Sequence, residues 1–219
     1  MKDPIISIII PTPSSNYELL QKCVNTFVKY KSFSVEYDFC IVPNEWTGFE
    51  PNVNKALKMS IGDYILFTND DVWIKKKGWD IEMIKAFEKE GVGMVSGTGY
   101  AWNDLPAFWF VMISRKVLDD VGILDESFTL YSSDFDYGMR VKQAGYKIAH
   151  LKLMPFVGHI FCASSKRVTN ENKIMKAMRE KFGKKWNIDN TKFETMYLDI
   201  DKQILDIQIK PGKEHFTIC

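Results

Sequence analysis

Cysteine is scarce in this sequence and follows no pairing pattern: Cys23, Cys40, Cys162 and Cys219 form no C-x-x-C and no regular spacing. A chain of 219 residues can bury a core of its own, so nothing calls for a disulfide scaffold, and the four read as reduced thiols. An excess of one charge is also lacking. Lys plus Arg number 29 and Asp plus Glu 28, a formal net charge of +1, which leaves no global field to draw the molecule to nucleic acid. No apolar run reaches the roughly 18 residues of a membrane helix, and the short ISIII stretch lacks the length and cleavage site of a signal peptide. The expectation is a soluble, cytoplasmic protein. Glycine is sparse too: the one cluster, Gly91-Val92-Gly93-Met94-Val95-Ser96-Gly97, has the wrong spacing for G-x-G-x-x-G and does not follow the first strand, which sets aside a dinucleotide-binding dehydrogenase.

Against these absences stands a regular alternation of apolar runs and amphipathic stretches. Residues 5–10 are β-branched and apolar and stop at Pro11-Thr12-Pro13, the pattern of a buried strand. Ser15 or Asn16 can cap a following helix with Leu19, Leu20, Cys23, Val24 and Phe27 on one face. Strands are expected at 37–42, 64–67, 92–96, 108–113 and 146–150, with helices near 53–59, 78–90, 115–122 and 134–144. Alternation of this kind predicts an α/β fold: a single doubly wound, mostly parallel central sheet flanked by helices. One domain is expected over 1–186, with a nucleotide-binding half near 1–100 and an acceptor half near 101–165; 187–219 reads as an extension packed on it.

The strand at 64–67 runs into Asn69-Asp70-Asp71. Open α/β sheets bind ligands beyond the carboxyl ends of their strands, and carboxylate oxygens there suit a hard divalent cation. A polar turn alone has the same composition, so the weight comes from context. The stretch from Asn54 through Gly62-Asp63-Tyr64-Ile65-Leu66-Phe67 resembles the segment N-x-G-x-x-x-A-x-G-[DE]-Y that precedes the D-x-D or N-x-D motif of family 2 glycosyltransferases with the A-type fold. Ile6-Ser7-Ile8-Ile9-Ile10-Pro11-Thr12 is similar to that family's first strand. A second block, Val121-Gly122-Ile123-Leu124-Asp125-Glu126-Ser127-Phe128, then Asp134-Phe135-Asp136, Arg140 and Ala144-Gly145-Tyr146-Lys147-Ile148, resembles its acceptor-side pattern. The likeness covers about 4–160, and the N-x-D form occurs in the rhamnosyltransferase-like branch.

What the resemblance implies is an inverting transfer of a sugar from a nucleotide-diphosphate donor to a hydroxyl of a glycan, lipid-linked or protein acceptor, as in polysaccharide biosynthesis. Asp134 takes the general-base position, although an Asp at a helix start is also favoured by the macrodipole alone. A divalent cation, Mn2+ or Mg2+, would be held by Asp71 and His159. Pro11, Thr12, Asn44, Asn54, Asn69 and Asp70 fall on donor-binding positions, and Lys166 and Arg167 would close a loop on the diphosphate. Trp102, Asp104 and Trp109 are the acceptor candidates, since aromatic rings stack on sugar faces. Asp136 and Arg140, one helical turn apart, read as a supporting ion pair.

Three positions depart from the family pattern. The second strand ends Val42-Pro43-Asn44-Glu45 without the family's acidic pair, Ser133 stands where Glu usually precedes the base, and Asn69 replaces Asp. A non-catalytic nucleotide-sugar or glycan-binding module is therefore the alternative. A sugar-phosphate nucleotidyltransferase would want a glycine-rich basic loop where this chain has Pro11-Thr12-Pro13-Ser14-Ser15. Between 166 and 185 eight basic residues meet two acidic ones beside an apolar stripe of Ile174, Met175, Met178 and Phe182, which allows peripheral membrane contact.

Overall fold

The computed structural model describes residues 3–43, 48–97, 101–102, 105–153, 155–159 and 170–188. Ile5–Thr12 forms β1, and its run of isoleucines places side chains on both faces of the sheet, as period two requires. Ile6, Ile8 and Ile10 enter one core and Ile9 the other, all four completely buried. Each such burial contributes roughly 1.5–3 kcal/mol. Glu36–Pro43 (β2) and Tyr64–Thr68 (β3) pair with β1 on either side, both parallel to it.

The full sheet has six strands in the order β2-β1-β3-β8-β5-β9, where β5 is Val92–Ser96, β8 is Phe110–Ser114 and β9 is Lys147–His150. Two short ribbons stand apart from it. Val72–Ile74 (β4) pairs with Val157–His159 (β10), and Ala101–Trp102 (β6) with Leu105–Pro106 (β7), both antiparallel.

One strand departs from a purely parallel doubly wound sheet. β8 runs antiparallel to both β3 and β5; the described residues between β5 and β8 form the antiparallel β6–β7 ribbon and no helix, and a connection without a helical crossover suits antiparallel neighbours. The reversal has a functional consequence. The start of β8 lies at the same edge of the sheet as the end of β3, with Phe110 opposite Thr68.

Helices Tyr17–Lys29 (α1) and Trp79–Ala86 (α3) cover one face, burying Phe27, Trp79 and Met83 against Ile8, Leu66 and Met112. Phe49–Met59 (α2), Arg115–Val121 (α4) and Ser133–Gln143 (α5) cover the other, burying Val53, Leu57, Val117 and Tyr137 against Ile65, Phe67 and Ile113. α2 begins earlier than the spacing predicts and α3 stops sooner.

Glu171–Trp186 (α6) lies over a third, smaller cluster in which Phe182 joins Leu105, Phe128 and Phe135, with Met178 and Trp186 beside it. Of the apolar stripe, Met178 and Phe182 pack on the domain, while Ile174 and Met175 are half-buried and belong to no core cluster. Asp136, wholly buried on α5, anchors the helix: it accepts from Arg140 Nε at 3.1 Å, Lys185 Nζ at 2.7 Å and Trp186 Nε1 at 2.9 Å. The expected extension lies outside the described residues beyond Ile188. No helix among the described residues is long and apolar enough to cross a membrane.

Candidate active site

At the end of β3 the chain turns through Asn69, Asp70 and Asp71 into β4. The two adjacent carboxylates have opposite surroundings. Asp70 Oδ2 accepts the Thr12 hydroxyl at 2.7 Å and the Asn16 amide at 3.1 Å, all three residues being buried. These bonds tie the turn to the end of β1. Burial, above all, raises the pKa of Asp70, and the bonds from Thr12 and Asn16 pull it back. Asn16, expected as a helix cap, makes no cap bond with its side chain and gives its amide to Asp70 instead.

Asp71 points the other way. Its Oδ1 is buried, makes no hydrogen bond among the described residues, and stands 3.0 Å from His159 Nε2. The β4–β10 ribbon sets this spacing: Asp71 directly precedes Val72, and Val72 is the register partner of His159. The fit to a cation is good, because cis ligand atoms each about 2.1 Å from a metal lie about 3.0 Å apart. The carboxylate suits Mn2+ or Mg2+, and the imidazole beside it favours the transition metal of the two. Among the described residues no group of three or more His, Cys, Asp or Glu side chains could hold a metal. Such a two-ligand seat leaves coordination positions for the oxygens of a diphosphate.

Trp109 supports the pair from behind, its ring stacked on His159 at a centroid distance of 4.4 Å and an interplanar angle of 15°. It is buried, so it braces His159 and offers no open platform for the acceptor role that the sequence suggested for it. Gly158 is equally constrained. A Cβ there would come within 2.2 Å of the Trp73 ring, so only glycine lets β10 pass beneath that indole.

The base position lies across the same edge. Asp134, half-buried in the first turn of α5, accepts from the backbone N–H of Phe135 at 2.8 Å and also from the N–H of Phe108. Burial pushes its carboxyl up to about 6, against the lowering effect of those donors. At neutral pH it is ionised yet close enough to its pKa to exchange protons readily. One dipeptide thus serves both halves: Phe108 gives its N–H to Asp134, and Trp109 lays its ring on His159.

Several expected residues have other roles. Asn54 is buried within α2 and spends its amide on the chain itself, donating to Leu124 O and Glu126 Oε1 at 2.9 Å each and accepting from Leu124 N–H at 2.8 Å. It ties α2 to the loop after α4, with both amide hydrogens committed there. Thr12 and Asp70 act through each other in the same way, as framework. Pro11 is half-buried within β1, opposite Val42. Asn69 is half-buried, and its carbonyl accepts from Val72 N–H at 3.4 Å. Asn44, Asp104, Lys166 and Arg167 lie outside the described residues, as does the side chain of Trp102. Glu50 was not singled out by sequence; it stands buried beside Ser133 and Asp134.

The sequence matches the family model described as glycosyl transferase family 2 over residues 29–137. No curated protein matches the sequence. The fold is similar to that of the mannosyltransferase PcManGT from Pyrobaculum calidifontis, solved with GDP-Man and Mn2+: TM-score 0.61, 14% identity, 74% of this chain and 58% of that one. It is also similar to the catalytic domain of Drosophila beta1,4-galactosyltransferase 7, solved with xylobiose, with a TM-score of 0.57 and 12% identity over 78% of each chain. GalNAc-T7, solved with UDP, GalNAc and Mn2+, gives a TM-score of 0.59 at 12% identity, over 72% of this chain and 44% of that one. The chain therefore spans little more than half of the first of these and less than half of the last. At such identities the likeness is one of fold. Together with the family match over residues 29–137, it shows the A-type glycosyltransferase fold, with the middle of the chain matching the glycosyl transferase family 2 model.

Proposed function

We propose that the chain is an inverting, metal-dependent glycosyltransferase that moves a sugar from a nucleoside-diphosphate donor to an acceptor hydroxyl, with Asp134 as general base. The observation that carries this reading is the Phe108-Trp109 bridge, which braces the base carboxylate through one residue and the Asp71–His159 pair through the next. Asp71 and His159 would hold a divalent cation against the diphosphate. That cation would neutralise the charge gathering on the leaving group. Asp134 accepts the proton of the attacking hydroxyl as its oxygen bonds to the anomeric carbon and the bond to the diphosphate breaks.

Thr12, Asn16 and Asp70 keep the end of β1 and the turn after β3 in one arrangement, so that Asp71 needs no rearrangement to bind. Such preorganisation is where much of the rate comes from. A nucleotide-sugar donor and a bound Mn2+ are what the Pyrobaculum mannosyltransferase complex contains. The Asn69-Asp70-Asp71 form of the turn favours the rhamnosyltransferase-like branch. The acceptor is a glycan hydroxyl, free or carried on a lipid or protein.

The test is Mn2+-dependent consumption of UDP-, GDP- and dTDP-sugars by the purified chain, alone and with sugar acceptors. The unmutated protein should turn over at least one donor, and Asp134→Asn should lose about 10²–10⁴-fold in transfer while still binding that donor. No metal-dependent turnover with any of the three would favour the binding-module alternative.

A further inference from the structure

Glu50 is a deeply buried carboxylate beside the base that the reaction so far leaves without a task. It enters from the first turn of α2, 1% exposed, and one of its oxygens, Oε1, has no hydrogen-bond partner among the described residues. The carboxyl accepts from the N–H of Leu130 and from the hydroxyl of Ser133. These contacts cross about eighty residues of sequence to reach the turn that delivers Asp134.

That turn is unusual in its backbone. Leu130 and Ser132 both lie in the left-handed region, at φ 64° and 66°, where a side chain as large as leucine is rarely found and is kept there only by its surroundings. Glu50 supplies such a surrounding on one side. One helical turn along α2, Asn54 grips Leu124 and Glu126 in the same fashion, so α2 presents two polar residues, i and i+4, that fasten it to the acceptor half of the domain. Ser133, which occupies the place of an acidic residue before the base, passes a hydrogen bond to a carboxylate arriving from elsewhere in the fold.

We infer that Glu50 is the positioning residue for Asp134: by clasping Leu130 and Ser133 it holds the left-handed turn shut and fixes the base at the head of α5. This inference rests on the reading of Asp134 as general base. The charged group facing Glu50 is Asp134 itself; the remaining partners are donors, namely Leu130 N–H, the Ser133 hydroxyl and its own N–H. Burial first, then the Asp134 charge, push the Glu50 carboxyl up to about 7. The two carboxyls therefore titrate in neighbouring ranges, Glu50 at about 7 and Asp134 at about 6. Ionised Glu50 accepts the stronger hydrogen bonds and holds the turn more firmly.

The experiment compares Glu50→Gln, Glu50→Ala and Asp134→Asn in kcat, donor affinity and pH profile. Glu50→Gln keeps an acceptor for Leu130 and Ser133 and should stay within about tenfold of the unmutated kcat, whereas Glu50→Ala should fall about 10–100-fold. Donor affinity should be unchanged in both. The low-pH limb, built from two ionisations in the unmutated enzyme, should reduce to a single one in Glu50→Gln. An unaltered kcat in Glu50→Ala overturns the inference. So does a loss matched by equal loss of donor binding with the pH profile unchanged, which marks a residue needed only for folding. If Asp134→Asn transfers at the unmutated rate, the base assignment fails and Glu50's role falls with it.

Discussion

Asp71 and Asp134 sit at the same edge of the sheet, yet the fold holds them by opposite means. Asp71 is fixed by register: two strands of three residues each place it beside His159, and a single glycine under Trp73 keeps the strands in contact. Asp134 is fixed by backbone donors at the head of α5, behind a turn with two non-glycine residues in the left-handed region and a clasp from distant Glu50. The metal side should respond to single atoms added or removed within the ribbon. The base side should respond to residues that never approach the acceptor.

The largest effect that would sharpen this contrast is Asp71→Asn. It weakens the cation's charged ligand and should lower transfer by about 100-fold or more, judged against the 10–100-fold cost of losing even an outer-shell partner. Added Mn2+ should recover part of the loss, which steady-state rates across a Mn2+ titration would reveal.

Acid should act on the other half. Burial raises the Asp134 pKa to about 6, so the base is protonated below that value and ionised above it. The low-pH limb of kcat/KM should accordingly show a shallow step near pH 7 from Glu50 and then descend below about pH 6, about tenfold per unit, and not near the ordinary aspartate range. A limb centred near pH 4 would remove Asp134 from the role.

Gly158→Ala comes next, and it tests the ribbon alone. The added methyl meets the Trp73 ring, so β10 must shift, at a cost of about 1–3 kcal/mol in stability. Thermal unfolding should show the loss, and Mn2+ affinity should fall with it while the pH limb stays in place. The smallest effect is Thr12→Val, which removes one donor from Asp70 while the Asn16 amide stays, and should cost about 0.5–1.5 kcal/mol. Chemical denaturation would measure it, with the metal affinity only slightly changed.

Much of this fold is legible in the sequence because long elements advertise their period. β1, α1, β5 and the block around α5 stand close to where apolar spacing predicts them. The β4–β10 ribbon is not legible, since three residues of strand carry no periodicity and its two sides lie more than eighty residues apart. His159 could be placed only by family resemblance. Asn16 and Asn54 mislead for a different reason: a polar side chain in a helix's first turn or on its inner face reads as cap or ligand, and only the fold shows that its partner is Asp70 or Leu124. Glu50 was invisible because nothing local distinguishes a buried glutamate at a helix start from a solvated one favoured by the macrodipole. The anchoring of α6 was hidden likewise, as Asp136 meets Lys185 and Trp186 from about fifty residues away.

The most direct test of the division of labour is Mn2+-dependent binding of nucleoside diphosphates to Asp71→Asn and Asp134→Asn side by side, measured by calorimetry with UDP, GDP and dTDP. Asp134→Asn should bind the preferred diphosphate as the unmutated protein does, and Asp71→Asn should lose most of the Mn2+-dependent affinity. Equal losses in the two variants, or none in Asp71→Asn, would contradict the assignment of metal to one carboxylate and proton to the other.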